Sequence, residues 1–97
     1  MKVSEVTLEY VLKYLRIDMP DDYDKEIIVG IFPSALSFIK SYTGLDETAI
    51  DEHEDITIAY LVLIEDMYDN RTMNVSATNV NRTVKTILGM HSVNNVG

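Results

Sequence analysis

The sequence EDMYDNR, residues 65–71, places three carboxylates within five positions, and paired acids of this kind can serve general acid and base catalysis. Glu65 and Asp69 are four residues apart, so a helix would bring both to one face. A solvated helix face has the same spacing, and no catalytic motif surrounds these acids. We therefore interpret the stretch as the polar end of a helix and predict no catalytic role for it.

A second stretch with chemical potential is DEHED, residues 51–55, which combines carboxylates with an imidazole, the ligands of several metal ions. Consecutive residues do not converge on one ion without a dedicated loop, and the glycine and alternating ligands of an EF-hand are missing. His53 and His91 lie at no recognised motif spacing, and there is no glycine-rich phosphate loop. We predict that these carboxylates cap a helix, that the protein is not an enzyme, and that it needs no metal or other cofactor.

Composition describes a small folded domain. The 97 residues are 46% hydrophobic and 25% charged, which is ordinary for a globular chain. The formal charge of -8 disfavours non-specific binding to nucleic acid or to an anionic membrane. The absence of cysteine excludes a disulfide framework, a thiolate metal site and a cysteine nucleophile. With neither a signal-peptide core nor an apolar run of about 20 residues, a soluble cytoplasmic protein without a membrane contact is expected.

The charges are unevenly placed along the chain. In residues 46–69 every charged side chain is acidic, whereas residues 70–97 contain only Arg71, Arg82 and Lys85 as charged side chains. No internal repeat or linker composition divides the sequence. A single domain over the whole chain, with an acidic middle and a mildly basic end, is expected.

Apolar residues recur at helical spacing in four segments, which predicts an all-α fold, a small bundle of about four helices. The first helix is short, and Thr7 is its expected N-cap. Its apolar face consists of Leu8, Val11, Leu12 and Leu15.

The second helix is long. An acid-rich break at residues 18–22 supplies its capping groups, and the YTG sequence at residues 42–44 ends it. Pro33 cannot donate to the carbonyl of Val29, and its ring crowds that carbonyl. With Gly30 nearby, we predict a kink at this point, and two separate short helices are the alternative.

The third helix is predicted from Asp55 to about Arg71. Apolar residues on most of its sides make it the central helix of the bundle. A strand is the competing interpretation, but the pattern exceeds the usual length of a strand. The following TMNVSATN, residues 72–79, is expected to form a loop or a short extended segment.

The fourth helix is short, starts near Asn79 or Asn81 and stops at Gly89. Residues 91–97 have no helical period and are expected to form a flexible tail. We further predict that residues 70–97 are mobile in the free protein and become ordered against a partner.

This basic end is the predicted contact surface. Arg82 and Lys85 would orient it toward an acidic partner, and buried apolar side chains would offset the entropy lost on ordering. The apolar candidates are Ile87, Leu88, Met90 and Val93. The alternative is that Ile87 and Leu88 complete the core of the monomer and that the tail has no role.

In order and spacing, the four segments resemble the head-tail connector (adaptor) family of long-tailed double-stranded DNA phages and related prophages, over nearly the whole chain. The most specific matches are YTG at the end of the second helix, DMYDNR at the end of the third, and the pattern of Val84, Ile87 and Leu88 in the fourth. Gly30 and Pro33 depart from the smoother, alanine-rich second helix of that family.

The resemblance implies a structural virion protein in the virion neck, made in the host cytoplasm. Such proteins assemble as a ring, typically a dodecamer, between the portal protein and tail-proximal head-completion or tail proteins. The monomer is expected in isolation. DNA would pass through the channel without sequence-specific binding, and a dodecamer with a charge of about -96 would not retain it. Tyr68 would pack within the scaffold, and Arg71 would anchor nearby carbonyls or carboxylates.

A small, acidic, helical regulatory module that binds one partner protein is the alternative function. It would form dimers rather than rings. Tyr10, Tyr14, Tyr60 and Tyr68 suit either the edge of a core or a protein interface, and both placements remain open at this point.

Overall fold

The computed structural model describes residues 1–71 and 80–93, and within these residues all regular structure is helical. A 3-10 turn at Val3–Glu5 precedes α1 (Leu8–Tyr14), α2 (Asp22–Thr43), α3 (Glu47–Asp51), α4 (Glu54–Asn70) and α5 (Arg82–His91). The all-α prediction is confirmed. The predicted loop at 72–79 and the last part of the predicted tail, 94–97, lie outside the described residues. None of the helices described here has the length and apolar character needed to cross a bilayer.

Capping side chains determine where α1 and α2 begin. Thr7 accepts a hydrogen bond of 3.2 Å from the backbone N–H of Tyr10, which confirms it as the N-cap of α1. Asp21 and Asp24 each accept a bond from the other's backbone N–H and form a capping box at the start of α2. The acid-rich break therefore supplies the start of α2, as predicted.

The α2 helix is continuous, so the alternative of two short helices is wrong. Pro33 lies inside it at an exposed position. Val29, whose carbonyl loses its helical partner, is also exposed, so water can solvate that carbonyl. The kink itself stays a prediction. The helix ends at Gly44, which adopts the left-handed conformation with φ of 77°.

The α4 helix is central, as predicted. It packs against α2 and α5, and α5 also packs against α2. The buried residues of α4 are Ile56, Thr57, Ala59, Tyr60, Leu61, Leu63, Ile64 and Met67. They surround most of α4 and pack against its neighbours, among them a fully buried stripe of α2 formed by Ile28, Ile31, Ala35 and Ile39. Burial of these apolar side chains stabilises the bundle.

A short helix before α4 raises the number of described α-helices to five, instead of about four. Asp46 caps α3 by accepting a bond of 2.8 Å from the N–H of Ala49, and Ile50 enters the core. The LDETAID sequence around it is too short to display a helical period, which is why periodicity did not reveal it.

The acidic stretch at residues 51–55 does not cap α4 through side-chain hydrogen bonds, contrary to the prediction. His53 is the N-cap, and its side chain makes no capping bond. Asp51 instead accepts a bond of 3.0 Å from the N–H of Ser4, and Glu54 pairs with the N-terminal amino group. Two acids do lie in the first turn of α4, where their charges favour the helix dipole.

The α5 helix begins where predicted but ends later. Asn81 accepts a bond of 2.7 Å from the N–H of Thr83 and is the N-cap. The helix continues through Gly89 to His91, so the predicted stop at Gly89 is wrong. A single glycine weakens a helix without ending it when the following residues have packing partners.

Within residues 80–93, part of the segment predicted to be mobile in the free protein, α5 packs on the bundle, and the mobility itself stays a prediction. Val84 and Leu88 are fully buried against the rest of the bundle. These residues are four apart and form the apolar face of a short amphipathic helix. Because that face is buried in the chain's own core, the entropy lost on ordering α5 is offset within the monomer.

Candidate functional site

The DMYDNR sequence forms the end of α4 and contacts the start of α2. The half-buried Tyr68 donates a hydrogen bond of 3.0 Å from its hydroxyl to Oδ1 of Asp24. The guanidinium carbon of Arg71 lies 4.3 Å from the centroid of the Tyr68 ring, within the distance of a cation–π contact. Tyr68 therefore packs between two helices, with Arg71 on its ring.

Arg71 also terminates α4 through its backbone. Its φ of 51° is left-handed, and its N–H bonds the carbonyl of Tyr68 at 3.2 Å. A separate, side-chain hydrogen bond with Tyr68 raises the pKa of the Arg71 guanidinium, and the negative charge of Asp24 contributes in the same direction. The side chain is thus a permanent positive charge on the surface, and its predicted role as an anchor for carbonyls or carboxylates stays a prediction.

The acids of the same sequence lie close to α1. Burial raises the pKa of Asp66, and the neighbouring charge of Asp69 adds to the effect. On α1, burial raises the pKa of Tyr14, with further contributions from Glu65 and Asp66 and from a hydrogen bond to Glu65. Glu65 and Asp66 therefore lie beside Tyr14, where α4 approaches α1.

The four tyrosines that suit either a core edge or an interface differ in how deeply they are buried. Tyr60 is 5% exposed and lies in the core, and burial raises its pKa to about 12. Tyr68 is half-buried at the junction of α4 and α2. Tyr10 and Tyr14, on α1, remain accessible at 38% and 36% exposure.

The predicted contact residues of α5 divide into two groups. Leu88 is fully buried and Ile87 packs at the edge of the core, so both complete the monomer, as the alternative interpretation held. Arg82 and Lys85 are exposed, and Met90 retains 66% of its surface. Val93, the fourth apolar candidate, is also exposed, so the accessible part of this surface contains two cations and two apolar side chains.

The segment after α5 is bonded to the end of α2 through Ser92 and Val93, and the flexibility predicted for residues 91–97 stays a prediction. Ser92 Oγ donates to the carbonyl of Tyr42 at 3.2 Å, and the N–H of Val93 donates to the carbonyl of Thr43 at 2.7 Å. Carbonyls in the last turn of a helix have no partner within that helix. The backbone carbonyls of Tyr42 and Thr43, in the YTG sequence, therefore bind the segment that follows α5.

Both histidines of the chain meet where α4 begins and α5 ends. Their ring centroids are 4.1 Å apart, with an angle of 29° between the ring planes. His91 Nε2 lies 2.7 and 2.9 Å from the two carboxylate oxygens of Asp55. A ring nitrogen of each histidine and one oxygen of Asp55 all lie within 4.8 Å of one another. His53, Asp55 and His91 are termed the histidine cluster below.

The histidine cluster is half-buried and borders an acidic surface. The hydrogen bond from His91 lowers the pKa of Asp55, against the opposing effect of burial. An open depression next to the cluster is lined by His53, Asp55 and also by Lys2, Thr48, Asp51, Glu52 and Glu54. The excess of carboxylates in this lining makes the local potential negative.

Sequence patterns did not reveal the histidine cluster. His91 is 36 positions from Asp55, and no short motif connects the two segments. The packing of α5 on α4 alone brings them together. Tyr68 and Asp24 are 44 positions apart, and the packing of α4 on α2 brings them together.

No protein-family model, curated protein or solved structure matches this chain. The resemblance to connector proteins stays an expectation from the sequence.

Proposed function

We propose that this chain is a structural virion protein that forms a connector (adaptor) ring between the portal and the tail of a long-tailed DNA phage or prophage. The observation that carries the proposal is the order of the helices, in which YTG closes the long α2 and DMYDNR closes the central α4. Both sequences hold an end of the bundle together. Tyr68 donates a hydrogen bond to Asp24 of α2, and the Tyr42 carbonyl accepts one from Ser92, which follows α5.

The exposed surface is compatible with several simultaneous protein contacts. Its most accessible apolar residues belong to different parts of the chain and are Met19, Tyr23, Val29, Ile58, Met90 and Val93. Methionine and tyrosine are enriched in the buried centres of protein interfaces. A ring subunit needs separate contact surfaces, since it touches two neighbours, the portal and a tail-proximal protein, whereas a module with one partner needs a single surface.

The distribution of charge favours a head-to-tail contact between copies. The exposed cations Arg82 and Lys85 lie on α5, whereas every charged residue of 46–69 is acidic. A ring is built from heterologous contacts, in which one face of a subunit meets a different face of the next. A basic segment and an acidic segment on one chain are complementary in that arrangement, and their attraction orients the subunits before the apolar contacts form.

Assembly with the portal protein tests the proposal directly. The gene is expected between portal and tail genes, which identifies the portal protein to be co-expressed. Light scattering should show a monomer for the chain alone and a ring on the portal complex, and a reconstruction of the phage neck should contain this helical bundle around the channel. A stable dimer bound to a single regulatory protein, with no binding to portal, would favour the regulatory module instead.

Charge reversal tests the contribution of α5. The double variant Arg82→Glu and Lys85→Glu should reduce the joining of heads to tails at least tenfold, because the complementary charges no longer orient the contact. Lys25→Glu is the matched control, since Lys25 is equally exposed but lies near the start of α2, where a negative charge is favourable. Circular dichroism should first show that both variants are folded. If they then join heads to tails equally well, α5 does not take part in the contact.

A further inference from the structure

We propose that the histidine cluster binds one divalent transition-metal ion of the zinc type. Its side chains offer two imidazole nitrogens and one carboxylate oxygen. Borderline ions such as Zn²⁺ accept this donor set, whereas Mg²⁺ and Ca²⁺ prefer oxygen ligands throughout. Three protein ligands leave a fourth position for water, which the partial exposure of the cluster permits. The site lies within one chain, so it and the proposed ring can each fail without the other.

The distances in the cluster are close to what a tetrahedral ion requires. With bonds of about 2.0–2.1 Å, the ligand atoms of tetrahedral Zn²⁺ lie about 3.3 Å apart. In the cluster they lie within 4.8 Å of one another, and His91 Nε2 and Asp55 Oδ2 are 2.7 Å apart. This pair must therefore separate by about 0.6 Å, and the other ligand atoms must approach by at most about 1.5 Å. The imidazole planes, now 29° apart, must also turn toward a common point, which requires rotation of these half-buried side chains.

The surroundings attract a cation. Asp51, Glu52 and Glu54 line the adjacent depression, and among the described residues Lys2 is the one lysine or arginine in its lining. The helix dipoles act in opposite directions, because the cluster lies at the positive end of α4 and His91 is the last residue of α5, at its negative end. The carboxylates therefore determine the sign of the local potential.

The pair of His91 and Asp55 also has a simpler interpretation, as a hydrogen-bonded tie between α5 and α4. That interpretation accounts for the 2.7 Å contact but gives His53 no function. His53 is the N-cap of α4 without a side-chain capping bond, and its ring faces His91 at 4.1 Å. A shared metal ion explains why all three side chains converge, and it predicts that His53 matters as much as His91.

Titration of the full-length chain without an affinity tag tests the site, since a polyhistidine tag would itself bind the ion. Isothermal titration with ZnCl₂ should show one saturable site per chain, and the melting temperature should rise with Zn²⁺ concentration. Equal concentrations of MgCl₂ should leave the melting temperature unchanged. Co²⁺ should produce the intense visible absorption of a tetrahedral nitrogen and oxygen site.

Variants separate the metal site from the simple tie. His53→Gln and His91→Gln should each weaken Zn²⁺ binding at least about tenfold, since loss of a direct ligand costs no less than loss of a supporting contact. Glu52→Gln, which removes one acid from the same depression, should change binding less than about twofold and controls for general attraction. If His91→Gln fails to fold, His53→Gln still decides the question. Absence of saturable binding, or unaltered binding by His53→Gln, would overturn the proposal and leave the tie alone.

Discussion

The hydroxyl of Tyr68 donates a hydrogen bond of 3.0 Å to the carboxylate of Asp24 and so joins the last turns of α4 to the first turn of α2. The same carboxylate accepts the backbone N–H of Asp21 through its other oxygen, in the capping box of α2. One side chain thus both starts a helix and positions its neighbour. At the opposite end of the bundle, the residues that follow α5 bond to the last carbonyls of α2.

Loss of the Tyr68 hydroxyl should destabilise the protein measurably. We expect Tyr68→Phe to lower the free energy of unfolding by about 1–2 kcal/mol, because the bond has a charged acceptor but is only half-buried. Urea unfolding followed by circular dichroism measures the change. Tyr10→Phe, on the exposed side of α1, is the control and should change it by less than about 0.5 kcal/mol.

The role of Asp24 in that bond can be isolated by a double-mutant cycle. In an Asp24→Asn background, Tyr68→Phe should cost less than it does in the native chain, because the charged acceptor is already gone. Identical costs in the two backgrounds would show that the two residues are not coupled and would contradict the assigned contact.

Two apolar side chains in the last turn of α5 should respond differently to replacement by alanine. Leu88 is fully buried, so we expect Leu88→Ala to cost about 2–5 kcal/mol through lost burial and the resulting cavity. Met90 is 66% exposed, so Met90→Ala should cost less than about 0.5 kcal/mol. Chemical denaturation of both variants provides the comparison. Similar small values for both would mean that α5 is not part of the folded monomer.

Gly89 offers a stabilising substitution. It lies inside α5, and a Cβ atom built there meets no heavy atom within 4 Å. Gly89→Ala should therefore raise the free energy of unfolding by about 0.5–1 kcal/mol through helix propensity and reduced entropy of the unfolded chain. Gly44→Ala should act in the opposite direction and cost about 1–2 kcal/mol, because Gly44 has φ of 77°. Thermal melts suffice to establish the two signs, and a destabilised Gly89→Ala variant would refute the placement of Gly89.

Asp66 should give a pH-dependent effect. Burial raises its pKa in the folded state, so ionisation favours the unfolded chain and the carboxylate lowers stability at neutral pH. We expect Asp66→Asn to melt above the native protein at pH 7. This advantage should shrink as the pH falls through the raised folded-state pKa and vanish below the unfolded value of about 3.9.

A second acid controls for net charge in that experiment. The chain carries -8, so removal of any acid relieves some repulsion, and Asp18→Asn removes an exposed one outside the helices. The difference between the two variants isolates the burial of Asp66. An equal gain in both variants at every pH would show that its surroundings do not matter.

Local signals determined much of this fold from sequence alone. Thr7 caps α1 through a residue three positions away, and Gly44 ends α2 through its own conformational freedom. The apolar residues of α4 repeat with the helical period over 17 residues, long enough for the pattern to identify the helix. Interactions between residues a few positions apart can be inferred from the sequence. The all-α fold and the central helix could therefore be predicted.

Packing between distant segments decided the rest. Five-residue α3 has no readable period, and the burial of Ile50 in the core stabilises it together with the Asp46 cap. Leu88 and Met90 are similar apolar residues two positions apart, and only the contact of α5 with α4 and α2 makes one core and the other surface. His53 and His91 share no motif, and their proximity depends on which helix faces meet. Each of these outcomes is set by the burial of apolar area across the whole bundle, a quantity that no short stretch of sequence contains.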